Sequence, residues 1–134
     1  MSLVIYTDGS CMPNPGPGGW AFVVLADYEN EIPTEWHVSG GDAQTTNNRM
    51  ELMAVIEALN FIQRKKCIIY SDSKYVINCA KGKWKRKNNI DLWEEYNKAS
   101  KGVQIEWVWV KGHSGDQYNE IVDQLAKQEV EKKK

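Results

Sequence analysis

The sequence predicts an α/β domain, a β-sheet with helices packed against it. Three observations carry this. The stretch up to Ser39 holds three strand-like runs with short connections, an antiparallel meander. Beyond it, helical patterns alternate with two more strand-like runs, Cys67–Asp72 and Val103–Val110. Finally, two apolar runs share one ending: Tyr6-Thr7-Asp8-Gly9-Ser10 and Tyr70-Ser71-Asp72-Ser73 both pass from an aromatic through a hydroxyl residue to an Asp.

The first run, from Leu3, is aliphatic, aromatic or β-branched, which suits a buried central strand. The backbone is expected to turn at Asp8-Gly9-Ser10. Cys11 to Gly19 is rich in Pro and Gly and reads as a tight loop, with glycines that let a backbone approach a ligand. It lacks the lysine of a phosphate loop. Trp20–Leu25 is the second strand, Asp27–Glu31 a polar turn, and Ile32–Ser39 a third strand whose Pro33 predicts an edge position. Gly40-Gly41-Asp42 is expected to break it. Thr45-Thr46-Asn47-Asn48 offers four N-cap types before a helix to about Gln63 that is apolar over most of its circumference. After Cys67–Asp72, Ser73 is expected to cap a short helix, Lys74–Ala80. A basic segment, Lys81–Lys87, follows, then a helix over Asp91–Ser100 with a stop at Gly102. Val103–Val110 alternates as a strand, Lys111–Gly115 reads as a flexible loop, and the last helix spans roughly Asp116–Val130. The tail, Glu131–Lys134, is expected to fray.

Composition narrows the function classes. At 134 residues the chain is expected to be one domain, 1–134. It has no run of about 18 apolar residues to span a membrane, and its start lacks the marks of a signal peptide. Three cysteines (Cys11, Cys67, Cys79), none in a C-x-x-C pair, speak against a disulfide framework or a zinc site and fit a reducing compartment, so the cytoplasm is the expected location. A monomer is the default expectation. The net charge is only −1, but it is unevenly spread. No acid lies between Asp72 and Asp91, where Lys74, Lys81, Lys83, Lys85, Arg86 and Lys87 do; taking those six from 17 basic residues leaves 11 against 18 acids elsewhere. A mildly acidic body thus carries one basic segment that could attract a polyanion.

If the two Asp-terminated strands lie parallel and adjacent, Asp8 and Asp72 meet at one sheet edge. Two close carboxylates repel unless a cation sits between them, and oxygen-only ligands favour Mg²⁺ or Mn²⁺. Each candidate acid also has a plainer reading. Asp8 could merely start a turn. Asn48-x-x-Glu51 matches a capping box. Asp123 could belong to a solvated helix face.

The motifs together resemble the type 1 ribonuclease H family in its bacterial form, with a shortened basic protrusion. Thr7-Asp8-Gly9-Ser10-Cys11 with Asn14-Pro15-Gly16-Pro17-Gly18-Gly19, then Thr46–Leu52, Ser71-Asp72-Ser73 with Tyr75-Val76, Trp109–Gly115, and Asn119-Glu120 through Asp123 fall in the family's order over nearly the whole chain. The resemblance implies a ribonuclease H-like fold: a five-stranded mixed sheet, three antiparallel plus two parallel strands, flanked by helices. It implies endonucleolytic hydrolysis of the RNA strand of an RNA–DNA hybrid, leaving 5′-phosphate and 3′-hydroxyl ends. It carries over Asp8, Glu51, Asp72 and Asp123 as ligands for two Mg²⁺ ions in the substrate complex, with Mn²⁺ as a substitute. It makes His113 a helper in proton transfer or product release, with Glu120 assisting. It implies hybrid contacts by Cys11, Asn14 and Asn47 on the minor-groove side, Thr46 and Asn48 toward the DNA strand, Lys74 where relatives often carry Gln, and Asn119. Lys83, Trp84, Lys85 and Arg86 are expected to form a truncated phosphate grip. Two other functions remain open: a transposase- or integrase-like DNA strand-transfer domain, and a non-catalytic hybrid-binding module.

Overall fold

A computed structural model describes residues 3–26, 34–112 and 116–134. Its elements are β1 (Leu3–Cys11), β2 (Gly16–Ala26), β3 (Thr34–Thr45), α1 (Asn47–Ile62), β4 (Lys66–Ser71), α2 (Lys74–Ala80), α3 (Ile90–Ser100), β5 (Gln104–Trp109) and α4 (Gln117–Lys132). The sheet order is β3-β2-β1-β4-β5. β1 pairs antiparallel with β2 and parallel with β4; β2–β3 is antiparallel and β4–β5 parallel. This is the mixed sheet that was expected, with the apolar β1 at its centre.

Two separate cores explain the layering. On one face Ile5, Phe22, Val24 and Ile69 pack under Leu52, Val55 and Leu59 of α1, joined by Val76 of α2 and Trp93 of α3. On the other, Tyr6, Ala21, Val23 and Leu25 meet Val122 and Ala126 of α4. Alternation along β1 and β2 supplies both faces, as a strand covered on two sides requires. Burying each large aliphatic or aromatic side chain contributes about 1.5–3 kcal/mol.

Several boundaries depart from the expectations, and close approach explains them. The chain does not turn at Gly9. β1 runs on to Cys11, with Asp8 opposite Ala21 and Gly9 opposite Trp20. A side chain at Gly9 would collide with the Glu51 backbone nitrogen, so this glycine admits the first turn of α1 onto the sheet. Gly40 and Gly41 do not break β3. They pair with Trp20 and Gly19, and a side chain at Gly40 would run into the Trp20 indole. β2 begins at Gly16, which leaves only 12–15 as the Pro-rich connection; both of its X-Pro bonds, Met12-Pro13 and Asn14-Pro15, are cis.

α2 matches its expected span, with Ser73 Oγ accepting from the Val76 N–H at 3.1 Å. α3 starts one residue early, at Ile90. The tail does not fray at Glu131: α4 continues to Lys132, and Lys134 Nζ reaches Glu131 Oε1 at 2.9 Å. β3 is an edge strand, but Pro33 and the Asp27–Glu31 turn lie outside the described residues. No described helix is long and apolar enough to cross a membrane.

Candidate active site

Register brings the two strand acids together. Tyr6 of β1 pairs with Tyr70 of β4 in parallel, so Asp8 and Asp72 each lie two residues past a matched pair. The tyrosine rings stack 4.6 Å apart, and Tyr118 of α4 packs on Tyr6. Beyond Tyr70 the parallel pairing ends while β1 continues alongside β2, and the acids sit at that divergence.

Glu51 arrives from α1. The helix is capped by Thr46, whose Oγ1 accepts from the Arg49 N–H at 3.2 Å. Asn48 and Glu51 therefore form no capping box: Asn48 is already helical, and Glu51 is a turn inside. Glu51 lies buried over Gly9, and its Oε2 is buried with no hydrogen-bond partner among the described residues. One carboxylate oxygen each from Asp8, Glu51 and Asp72 falls within 4.8 Å of the others.

The electrostatics of this cluster are unfavourable when it is bare. Burial, then the Asp72 charge, pushes the Asp8 carboxyl up to about 8, although the Gly9 N–H donates to Asp8 Oδ1 at 2.9 Å. Burial, then repulsion by Asp8 and Asp72, holds Glu51 well above the ordinary carboxylate range. Three carboxylates this close, one with an orphaned oxygen, form an all-oxygen donor set that a hard divalent cation would satisfy. The residues present therefore fit the expected metal.

Asp123 stands beside this group. It is half-buried on α4, close enough to raise the Asp8 pKa, and is held by Lys127 Nζ at 3.0 Å. One turn earlier, Asn119 is buried. Glu120 is exposed in the first turn of α4. His113 lies outside the described residues.

The Pro-rich loop is anchored to the same helix end. Asn14 Oδ1 accepts the Asn47 N–H at 3.2 Å, which joins two residues expected to meet substrate. Asn48 is exposed beside them. The Cys11 thiol is buried among the carbonyls of Pro13, Gly16 and Thr45, and burial pushes its pKa up, so it packs the loop instead of reacting.

The basic segment divides in two. Lys83 and Lys85 are exposed, as is Trp84 at 49%. Arg86 turns inward. Its guanidinium stacks on Trp93 at 4.3 Å and donates to the Cys79 carbonyl and to Asn97 Oδ1. Those bonds join α2 to α3. Sequence reasoning also missed Arg49, whose fork grips Asp91 at 2.9 and 2.7 Å and ties α1 to α3. No local signal marks a pair 42 residues apart. Lys74 opens α2 with its ammonium over the Trp109 ring.

The family model described as RNase H matches residues 1–131. The ribonuclease H of Thermoanaerobacter sp. (strain X514) is 46% identical over 143 positions, covering 96% of this chain and 89% of that protein. The ribonuclease H of Treponema denticola is 40% identical over 161 positions, covering 98% and 99%. Both alignments exceed 134 residues, so these relatives carry segments that this chain lacks. Among solved structures, LC9-RNase H1, a type 1 RNase H with the type 2 active-site motif, superposes with a TM-score of 0.84 at 32% identity, covering 98% of this chain and 73% of that one. LC11-RNase H1 in complex with RNA/DNA hybrid has the same fold, with a TM-score of 0.82 at 22% identity, covering 98% of each chain.

Proposed function

The chain belongs to the RNase H family of phosphodiester-hydrolysing nucleases, and from that premise we propose that it cuts the RNA strand of RNA–DNA hybrids endonucleolytically by a two-metal-ion reaction, leaving 5′-phosphate and 3′-hydroxyl ends. The observation that carries this reading is the Asp8–Glu51–Asp72 cluster, with its buried, unpartnered Glu51 oxygen.

By family analogy Asp8 would serve both metal positions, Glu51 and Asp72 one of them, and Asp123 the other. Mg²⁺ held there, two ions when substrate is bound and replaceable by Mn²⁺, would activate water and neutralise charge developing at the phosphate and the leaving 3′-oxygen. The protein's own part is to hold these acids in place. Gly9 lets Glu51 reach Asp8, and the matched register sets Asp8 beside Asp72. Lys127 balances Asp123. His113 is assigned proton transfer or product release, with Glu120 assisting.

Hybrid recognition needs ribose on one strand and deoxyribose on the other, and the 2′-hydroxyl marks the difference. Asn14 and Asn47, already joined to each other, and the backbone around Cys11 are assigned to the minor-groove side of the RNA strand. Thr46 and Asn48 are assigned to the DNA strand, Lys74, Lys83, Trp84 and Lys85 to the hybrid backbone, and Asn119 to the RNA beside Asp123. Three free, buried cysteines fit the proposed cytoplasmic location, and one domain acting as a monomer completes the reading.

The test is cleavage of end-labelled RNA–DNA, RNA–RNA and DNA–DNA duplexes with Mg²⁺ or EDTA, by wild type and Asp8→Asn. Metal-dependent cutting of the hybrid's RNA strand alone, lost in the variant, is expected. Tight hybrid binding without cutting would make the chain a binding module. Cutting or joining of DNA would make it a strand-transfer domain.

A further inference from the structure

Of the three clustered carboxylates, Asp72 lies just past the end of its strand. β4 ends at Ser71, and Asp72 is only half-buried where Asp8 and Glu51 are buried. The end of β5 grips the backbone there. The β4–β5 pairing closes with Ser71 opposite Trp109, and the next N–H, of Val110, donates to the Ser71 carbonyl at 3.0 Å. The Trp109 indole Nε1–H then donates to the following carbonyl, that of Asp72, at 3.3 Å. Two successive carbonyls at the β4 exit are thus held by two successive residues of the neighbouring strand. A little further on, the chain passes the carboxylate itself: a side-chain carbon at Gly112 would sit 3.2 Å from Asp72 Oδ2. The Lys74 ammonium lies over the indole, 4.8 Å from the ring centroid.

From these contacts we infer that Trp109 to Gly112 forms a strap that positions Asp72. The Trp109 indole is its fixed point, the bare backbone of Gly112 gives the carboxylate room, and Lys74 steadies the indole. The inference rests on the proposed role of Asp72 as a metal ligand. Trp109 touches neither substrate nor the reacting atoms in this scheme; it is a positioning residue. Lys74 also acquires a second use, since a cation over the indole face holds the ring in the plane that aims Nε1–H at the carbonyl.

The experiment is Mn²⁺ binding by calorimetry, with hybrid cleavage kinetics, on wild type, Trp109→Phe, Gly112→Ala and Asp72→Asn. Trp109→Phe keeps an aromatic ring near Lys74 and removes the indole N–H together with part of the ring, so Gly112→Ala serves as the second, independent variant. Groups that orient a metal ligand typically carry about 10-fold to 100-fold in affinity or activity. Trp109→Phe is therefore expected to weaken Mn²⁺ about 10-fold and lower kcat with little change in the KM for hybrid, while urea unfolding in EDTA stays near wild type. Gly112→Ala is expected to act in the same direction by crowding Oδ2, and it decides the matter if the Phe variant fails to fold. Unchanged Mn²⁺ affinity and kcat in both folded variants would overturn the strap. A rise in KM alone would also overturn it, by making Trp109 a substrate contact. Asp72→Asn separates the premise from the inference: if it leaves Mn²⁺ binding intact, the metal-site reading fails, and the strap's purpose fails with it.

Discussion

Replacing Asp8 by Asn should abolish cleavage and yet stabilise the metal-free protein. The Asp8 carboxyl is pushed to about 8 from an ordinary 3.8, by burial first and by Asp72 next. Its folded-state value lies above its unfolded one. Its contribution to stability is therefore fully present below about pH 4 and is lost as pH rises through about 8. At about 1.36 kcal/mol per pH unit, that gap sets a ceiling of roughly 6 kcal/mol on the alkaline side. Penetrating water and proton sharing with Glu51 lower the usable figure, and we expect Asp8→Asn to gain about 1–3 kcal/mol. The Asn oxygen can keep the bond from the Gly9 N–H, and its amide can donate to a neighbouring carboxylate. The assay is urea unfolding in EDTA near pH 5.5 and near pH 8.5, repeated with Mg²⁺. The variant's advantage should grow toward the higher pH, and Mg²⁺ should stabilise wild type much more than the variant. An Asp8→Asn protein no more stable than wild type in EDTA at the higher pH would refute the claim that the bare acids repel one another.

Gly9→Ala should cost about 3 kcal/mol or more, because the new carbon meets the backbone of α1 and not a movable side chain; loss of stability and activity together would show in unfolding and cleavage assays. The Arg49–Asp91 fork holds the Asp91 carboxyl down at about 2, so its contribution is present above about pH 4 and lost as pH falls through about 2. Since the Asp91 side chain is 66% exposed, Arg49→Ala should cost only about 1 kcal/mol at neutral pH, and acid titration of both proteins should show their stabilities converging near pH 2. Arg86→Ala should destabilise by about 1.5–3 kcal/mol in urea, with Arg86→Lys a poor substitute, because the planar fork both stacks on Trp93 and bonds Cys79 and Asn97. Lys83→Glu with Lys85→Glu should instead leave unfolding unchanged and raise the KM for hybrid, with a shallower salt dependence; a KM unmoved across salt would remove these lysines from the interface.

The sequence by itself determined most of the elements and the two strand acids that meet at the sheet edge. Apolar runs, alternation and the Ser73 cap were local, so α2 and the five strands could be read from neighbouring residues. The repeated Tyr-x-Asp ending pointed to Asp8 and Asp72 because each Asp follows its tyrosine at the same interval. Glu51, by contrast, read equally well as a helix cap; its role depends on which residue caps α1, and Thr46 does. The glycines misled for a related reason. Gly9 and Gly40 look like turns in one dimension, but each admits a neighbour from elsewhere in the chain, α1 in one case and Trp20 in the other. Arg86 reads in the sequence only as one charge of a basic run, and that it stacks on Trp93 depends on α3. Tertiary structure alone decided these points, because close approach, burial and the partner of a charge belong to pairs of distant residues. Local pattern can name such groups but cannot say what each will face.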